Sequence, residues 1–203
     1  MIYILTRTSK RPRMFQRLRD NIASQDYDGP VMHIVHTDEV ADDYVKGDMI
    51  VSSPRLRKTE KQTAPWELYN LALLEAVQIY GQPGFITFMD DDDMYASSKS
   101  LSTIADVARP GLMPIWKVER ENGRISPAQW RGDLATDEGR ICWEASGFHT
   151  SHLELALNLS IDGNDGADGR FWHRLSRHLT TLWIDEVLTK PQVGKGNGKR
   201  EDE

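Results

Sequence analysis

Short apolar runs alternate with helix-like repeats through the first 118 residues of the chain. Several runs are bounded by Gly, Pro or Asp, which is typical of buried strands. Between the runs, apolar residues recur at three- and four-residue spacing, which is typical of amphipathic helices. The pattern predicts strands at 2–5, 31–35, 49–51, 85–89 and 112–118, and helices that begin near 12, 65 and 98. This alternation predicts an α/β fold with a mostly parallel central sheet flanked by helices.

The second half of the chain has a weaker pattern. The predicted segments are helices at about 149–159 and 170–179, a loop rich in Gly and Asp at 162–169, and a late strand at 179–184. The polar tail 194–203 is predicted to be flexible or to form a lid. Because no repeat or linker divides the chain, we expect a single domain at 1–193 with two halves, 1–118 and 119–193.

Four consecutive aspartates, Asp90, Asp91, Asp92 and Asp93, directly follow the apolar run 85–89. In open α/β sheets the carboxyl end of a strand is where ligands bind. Adjacent carboxylates repel one another, and a hard divalent cation with oxygen ligands is the usual way to offset that cost. Residues i and i+2 of an extended segment share a side, so we expect Asp90 and Asp92 to address one ion. Asp91 and Asp93 should face away, and Asp91 should be expendable; an acidic solvated turn is the alternative.

Composition places the chain among ordinary globular domains. Apolar residues make up 39% and charged residues 28% of 203 residues, and no window approaches the ~18 apolar residues of a membrane-spanning helix. The net charge of −6 argues against a general nucleic-acid coat or an anionic membrane partner. The single cysteine, Cys142, excludes an intrachain disulfide framework and suits a reducing compartment. We therefore expect a soluble, cytoplasmic protein, in the host cytoplasm if the source is a virus.

Several motifs together resemble the family 2 glycosyltransferases, enzymes of the GT-A fold that move a sugar from a nucleoside diphosphate. The acidic run closely matches the Asp-x-Asp-Asp signature of the family, which contains its DXD motif. The other matching segments are 4–7, Arg11-Pro12, Gln25, 35–38, 70–72, and Asp168 with Arg174 and Leu175. The resemblance covers most of the chain. It implies a nucleotide-sugar donor, UDP-linked in the first instance, and Mn²⁺ or Mg²⁺ as the cofactor.

The resemblance also implies roles for particular residues. In the acidic run, Asp90 would contact the ribose or sugar, Asp92 would ligate the metal, and Asp93 could orient either. Asp168 is the first candidate for the general base of an inverting transfer, and Asp165 is the second. Both lie in the 162–169 loop, which fails the EF-hand pattern because Ala167 and His173 stand where Gly and Glu are required. A flexible surface turn is the alternative for this loop.

The ends of the first two predicted strands supply the nucleotide-binding candidates. Asp38 could accept hydrogen bonds from the base or ribose, and Thr6 and Arg7 could donate to the nucleotide. For Asp38 the alternative is a cap, and for Arg7 it is a surface salt bridge. Arg11 is interpreted as structural or as steering the phosphates.

The C-terminal segment 191–199 could close over the donor phosphates. Lys195 would supply charge, and the glycines beside it would allow close backbone approach. The segment is not a Walker loop, and it lacks the metal-binding histidine found in many relatives. Gln192, Asn197 or water could therefore complete the coordination, and a disordered tail is the alternative.

The 119–193 half is predicted to hold the acceptor, whereas the 1–118 half holds the donor. Trp143 and Glu144 are the best acceptor-side candidates, together with His149, although each tryptophan singly is also explained by core packing. The compact chain resembles the small soluble glycosyltransferases of phages and large viruses, so a hydroxymethylated DNA base is a conceivable acceptor. Arginines of the first predicted helix would favour such an acceptor; they are Arg11, Arg13, Arg17 and Arg19.

Two other functions stay open at this point. A sugar nucleotidyltransferase would share the fold class, but such enzymes carry a Gly-rich loop after the first strand, and the turn 6–9 has no glycine. A non-catalytic module that binds nucleotide sugars would need the same donor site without a base. The sequence does not predict the sugar, the acceptor or the oligomeric state.

Overall fold

A computed structural model describes residues 1–38, 43–129, 141–159 and 161–192. Its strands are β1 (Ile2–Thr8), β2 (Val31–Thr37), β3 (Met49–Ser52), β4 (Phe85–Phe88), β5 (Asp93–Tyr95), β6 (Leu112–Glu119), β7 (Ile125–Ser126), β8 (Gly147–His149) and β9 (Thr180–Pro191). Its α-helices are α1 (Pro12–Ala23), α2 (Tyr69–Tyr80), α3 (Ser100–Val107), α4 (Leu153–Asn158) and α5 (Ala167–Ser176). Short 3₁₀ turns lie at Pro65–Leu68, Trp143–Ala145 and Thr150–His152.

The central sheet has five strands in the order β3-β2-β1-β4-β8. The first four are parallel, and β8 is antiparallel to β4 at the edge. All four residues of β4 are buried, which explains why this strand is apolar on both faces. The predicted α/β fold with a mostly parallel central sheet is confirmed. Parallel pairing brings the carboxyl ends of β1, β2 and β4 to one edge, where the acidic run begins.

A second sheet holds the strand predicted at 112–118. Its order is β5-β9-β6-β7, with β6 parallel to β9 and the other pairs antiparallel. The expectation that 112–118 extends the central parallel sheet is therefore wrong, because β8 occupies the free side of β4. A single bridge between Ile115 and Ser146 connects β6 to the segment that enters β8.

The second sheet also reaches into the acidic run. Strand β9 has 12 residues, so it extends well beyond the predicted 179–184, and its last residues pair with β5. Asp93 is the first residue of β5 and pairs with Pro191. A turn closes just before it, where the Asp93 amide donates to the Asp90 carbonyl at 3.1 Å. The acidic run therefore lies between the two sheets.

One hydrophobic cluster joins the two halves of the chain. It contains β1 and β4 residues together with Trp116, Phe148 and Trp172, all at most 1% exposed. Helix α5 begins three residues earlier than predicted, which places Asp168 in its first turn. None of the helices in the described ranges has the length and apolar content that crossing a bilayer requires.

We predict that His33, in β2, makes the fold acid-sensitive. Its ring lies 2.9 Å from the Thr6 hydroxyl, and burial lowers the pKa of His33 to about 4, with Asp48 opposing the shift. The folded protein binds a proton at His33 more weakly than the unfolded chain does. The neutral ring therefore stabilises the fold above pH ~6.5, and this contribution is lost as the pH falls toward 4. Over this pH range, we expect protonation of His33 to lower the free energy of unfolding, measured by urea denaturation, by about 3 kcal/mol.

His33→Gln should flatten that pH dependence. His178→Gln is the matched control, because His178 is exposed and its ring lies in solvent. Equal pH slopes in the wild type and in His33→Gln would contradict the prediction.

Candidate active site

The four aspartates of the acidic run have different partners. The side chain of Asp90 meets Arg7, and those of Asp91 and Asp92 meet Arg11. Neighbouring residues of a strand point to opposite faces, so Arg7 and Thr8 at the end of β1 bind Asp90 and Asp91 on opposite sides. Two arginines therefore offset the repulsion among three of the four adjacent carboxylates.

Arg7 forms a planar fork with Asp90. Its Nε and Nη2 donate to the two oxygens of Asp90 at 2.9 and 2.5 Å, and its Nη1 donates to Glu67 at 2.9 Å. Burial opposes the charge on Arg7, but Asp90 and Glu67 outweigh it and raise the pKa of the guanidinium. Because both oxygens of Asp90 are engaged, the expectation that Asp90 shares one ion with Asp92 does not match this geometry.

Asp91 is the most buried member of the run, with 2% of its surface exposed. It accepts hydrogen bonds from the Thr8 hydroxyl at 2.7 Å and from Arg11 at 2.6 Å. Burial raises the pKa of Asp91 to about 7, against the opposing charge of Arg11. The expectation that Asp91 is expendable conflicts with this burial, because Asp91 holds the turn to β1. The same Arg11 lies 3.0 Å from Asp92, which agrees with its structural interpretation.

Gln192 ties the end of β9 to the acidic run. Its amide group donates to the carbonyls of Asp91 at 2.8 Å and Asp93 at 3.2 Å, and to Met14 at 3.0 Å. Its backbone amide donates to the Asp92 carbonyl at 2.7 Å. The structure thus places Gln192 at the turn as a donor to backbone, and its own buried side-chain oxygen has no hydrogen-bond partner.

Asp93 turns toward a second acidic group, Glu144. Burial raises the pKa of Asp93 well above its ordinary value, and the charges of Glu144 and Asp92 raise it further. Glu144 is 7% exposed and lies 3.5 Å from Arg120. Burial raises its pKa to about 7. Glu144 therefore lies beside the acidic run, and Arg120, at the end of β6, supplies the positive charge.

Asp168 lies close enough to Arg7, Arg120 and Asp90 for their charges to affect its pKa. Burial raises its pKa, whereas the Gly169 amide and the charges of Arg7 and Arg120 lower it. The Gly169 amide donates to its side chain at 2.7 Å, which fixes the carboxylate at the start of α5. Asp165, the second candidate base, is exposed on the preceding turn, so Asp168 is the better placed of the two.

The nucleotide-side candidates divide between surface and interior. Asp38 follows β2, and one of its side-chain oxygens is buried without a hydrogen-bond partner, which leaves an acceptor for a ligand. Thr6 does not reach the site: strand β1 continues through Thr8, and the Thr6 hydroxyl is buried and donates to the Met89 carbonyl at 2.8 Å. Lys195 lies outside the described residues.

Two acceptor-side predictions do not match the structure. Trp143 is 3% exposed and packs on Phe88 with ring centroids 4.7 Å apart, so its faces serve the core. Its indole N–H donates to Glu67. His149 pairs with Phe85 at the start of β4, at the opposite end of the sheet from the acidic run. His149 lies there because β8 runs antiparallel to β4, and the sequence pattern does not predict the direction of a strand.

Sequence reasoning missed three residues of this site. Glu67 follows Pro65 at a helical start, where an acid is explained by the helix dipole alone. Arg120 has no motif around it. Thr8 was placed in a turn, although its alternation with Thr6 is the period-2 signal of a longer strand.

The donor set fits a hard divalent cation. Seven carboxyl groups in this region interact electrostatically with three guanidinium groups or with one another; the acids are Glu67, Asp90, Asp91, Asp92, Asp93, Glu144 and Asp168. Among the described residues, no three His, Cys, Asp or Glu side chains are placed to hold a metal ion by themselves, so the protein ligands would be one or two carboxylates. Mg²⁺ typically takes one or two carboxylates and completes its shell with substrate phosphates and water. Asp92, which pairs with Arg11 through one oxygen at 3.0 Å rather than through a two-oxygen fork, and Asp93 are the residues that would hold the ion.

Comparison of the sequence with models of protein families and with curated proteins finds no match. Solved structures do match the fold. S. aureus TarS has a TM-score of 0.66 and 13% identity over 95% of this chain and 36% of its own. A shorter form of TarS in complex with UDP-GlcNAc has a TM-score of 0.62 and 14% identity over 97% of this chain and 59% of that one.

Two further structures match at a TM-score of 0.57 and 14% identity. One is the mannosyltransferase PcManGT from Pyrobaculum calidifontis in complex with GDP-Man and Mn²⁺, matched over 96% of this chain and 57% of that one. The other is a nucleotidyl transferase from Methanothermobacter, Mth528, matched over 91% and 87%. The chain thus has the GT-A fold of the glycosyltransferases and spans less than two thirds of TarS and PcManGT.

Proposed function

We propose that this chain is a metal-dependent glycosyltransferase that moves a sugar from a nucleotide sugar to an acceptor hydroxyl. The observation that carries the proposal is the convergence of the acidic run, Asp38 and Asp168 at one edge of a GT-A sheet. The glycosyltransferases that share the fold are bound to UDP-GlcNAc or to GDP-Man with Mn²⁺. UDP is our first choice of nucleotide, and transfer is inverting.

The donor would lie along the carboxyl ends of β2, β1 and β4. The unpartnered oxygen of Asp38 accepts from the base or ribose at one end. Asp92 and Asp93, at the other end, would hold Mn²⁺ or Mg²⁺ beside the diphosphate. A bound divalent cation supplies Lewis-acid stabilisation of the charge that develops on the leaving diphosphate. The arginine pairs keep the remaining acids of the run in place.

Asp168 takes the proton from the acceptor hydroxyl. A general base must be positioned and must retain an accessible carboxylate at the working pH. The hydrogen bond from the Gly169 amide positions Asp168, and nearby Arg7 and Arg120 favour its ionised form. Its place in the first turn of α5 adds the favourable dipole of the helix start. Asp168, from the start of helix α5, and the acidic run, from the end of β4, would thus act at one centre.

A sugar nucleotidyltransferase is the second candidate, because Mth528 matches nearly its whole length to this chain. The two activities differ in their products. A nucleotidyltransferase joins a nucleoside triphosphate to a sugar phosphate and releases pyrophosphate, whereas a glycosyltransferase releases a nucleoside diphosphate. Release of pyrophosphate from UTP and a sugar phosphate would replace our proposal with this one.

We expect Mn²⁺ and a nucleotide diphosphate sugar to stabilise the protein together and only weakly apart. Since the described residues include no group of three ligand side chains, the donor phosphates would complete the coordination. A ligand at 100 times its Kd should raise Tm by roughly 5–10 °C. Thermal melts with UDP- and GDP-sugars, with and without Mn²⁺, measure this, followed by detection of released UDP or GDP.

Asp92→Asn should lose the joint stabilisation. Asp185→Asn is the control, because the Asp185 side chain is 75% exposed and its ion pair with Lys117 lies at the surface. Full stabilisation by the nucleotide sugar in the Asp92 variant would show that Asp92 does not hold the ion.

A further inference from the structure

The loop between β3 and the 3₁₀ turn at Pro65–Leu68 concentrates positive charge. This basic loop (residues 53–64) has four cations and one acid, a net charge of +3 in a chain of net −6. Its charged residues are Arg55, Arg57, Lys58, Lys61 and Glu60. All five are exposed, and none of the four cations is in an ion pair within the described part of the chain.

The first end of the basic loop is fixed to the nucleotide side of the site. Tyr69 stacks on His36 of β2 with ring centroids 4.0 Å apart, and its hydroxyl accepts from the Leu56 amide at 2.7 Å. The Ser53 hydroxyl lies 2.7 Å from the His36 ring. This end of the loop is therefore held against His36, which lies two residues before Asp38 and so beside the proposed nucleotide.

The second end of the basic loop is fixed to the segment that carries the proposed base. The Ala64 amide donates to the Gly163 carbonyl at 2.9 Å, and the Asp165 amide donates to the Thr63 hydroxyl at 3.1 Å. Helix α5 and Asp168 follow directly. The exposed cations thus lie on a span anchored at both ends, between the donor side and Asp168.

An exposed tryptophan stands where the basic loop meets the site. Trp66 is 41% exposed, and the Lys58 ammonium lies 5.1 Å from its ring centroid. Its carbonyl accepts from Arg7 at 3.3 Å, and the next residue, Glu67, binds the same arginine. Trp66 is therefore an exposed aromatic residue whose backbone contacts Arg7, the partner of Asp90.

We propose that the basic loop and Trp66 bind the acceptor, and that the acceptor is a single-stranded nucleic acid. The proposal rests on the function proposed above, because it assigns the substrate that presents the hydroxyl to Asp168. Cations that track phosphates, combined with an aromatic face that stacks a base, are the two elements of single-strand recognition. The acidic remainder of the chain would confine a polyanion to this surface.

Fluorescence anisotropy of a short labelled oligothymidine tests the proposal without a donor. Arg57→Gln/Lys58→Gln/Lys61→Gln should weaken binding at least ~10-fold at about 50 mM salt and lower the slope of log affinity against log salt by about 2. Trp66→Ala should weaken binding roughly 5- to 100-fold through the lost stack.

The control triple variant is Lys99→Gln/Arg109→Gln/Arg177→Gln, which removes the same charge from exposed positions just before α3, just after α3 and just after α5. It should retain most of the affinity. Binding that both triple variants weaken equally, or that neither the loop triple nor Trp66→Ala weakens, would overturn the proposal. The proposal would also be overturned if inorganic polyphosphate displaced the oligothymidine and Trp66→Ala had no effect on binding. The ligand would then be a polyanion without bases.

Melts with Mn²⁺ and nucleotide sugar separate this proposal from the proposed function. The loop variants should keep the stabilisation by the donor in full. If they lose it, the basic loop binds the donor and the acceptor proposal fails. If the wild type shows no stabilisation by any nucleotide sugar, the proposed function fails, whatever the oligothymidine result.

Discussion

Replacing Asp168 by asparagine is expected to lower the rate of sugar transfer by about 10²- to 10⁴-fold, the usual contribution of a general base. The amide keeps the shape of the carboxylate and its hydrogen bond from the Gly169 amide, but it cannot take a proton. Stabilisation by Mn²⁺ and the nucleotide sugar should persist, because Asp168 lies on the acceptor side. Single-turnover transfer to acceptor, beside thermal melts with donor, measures both quantities.

Glu144→Gln is the informative comparison for that experiment. Glu144 is also buried near the acidic run, and burial raises its pKa to about 7, a value suited to a base. Its contact with Arg120 favours a supporting role. Normal transfer by Asp168→Asn together with a large loss in Glu144→Gln would reassign the base.

The fold could be predicted from local patterns where burial is two-sided. Strand β4 is buried in every position and apolar in all but Thr87, because both of its faces are covered, and the step from it into the acidic run predicted a ligand-binding edge. Strand β5 could not be predicted in this way. It has three residues, begins inside the aspartates and exists because it pairs with the end of β9, about 100 residues away.

The residue types of the site could be predicted from the sequence, but the directions of their side chains could not. The acidic run and Asp168 were identified as acids at the ends of elements, and the structure brings them together. Which aspartate meets which arginine depends on the pleat of β1, since Arg7 and Thr8 face opposite ways. Glu67 gave no signal of its own, because its role comes from Arg7, 60 residues earlier.

The Arg7–Asp90–Glu67 cluster gives the largest expected effect on stability. Arg7 holds two carboxylates from separate segments, and its side chain is only 10% exposed. Removing one partner of a buried pair leaves the other charges without compensation, which costs about 3–5 kcal/mol. We therefore expect Arg7→Met to lower the free energy of unfolding by that amount at neutral pH, measured by urea denaturation.

Lys117→Met is the surface control for Arg7→Met. Lys117 pairs with Asp185 at 2.6 Å, but the Asp185 side chain is 75% exposed, so the loss should stay within about 1 kcal/mol. Arg7→Lys adds a second test, because one ammonium cannot reproduce the fork that binds both oxygens of Asp90. If Arg7→Lys keeps wild-type stability but loses donor stabilisation, Arg7 acts on the nucleotide rather than on the acidic run. Loss of stability in both variants, with the lysine variant intermediate, would instead establish Arg7 as the residue that neutralises Asp90 and so leaves Asp92 and Asp93 for the metal.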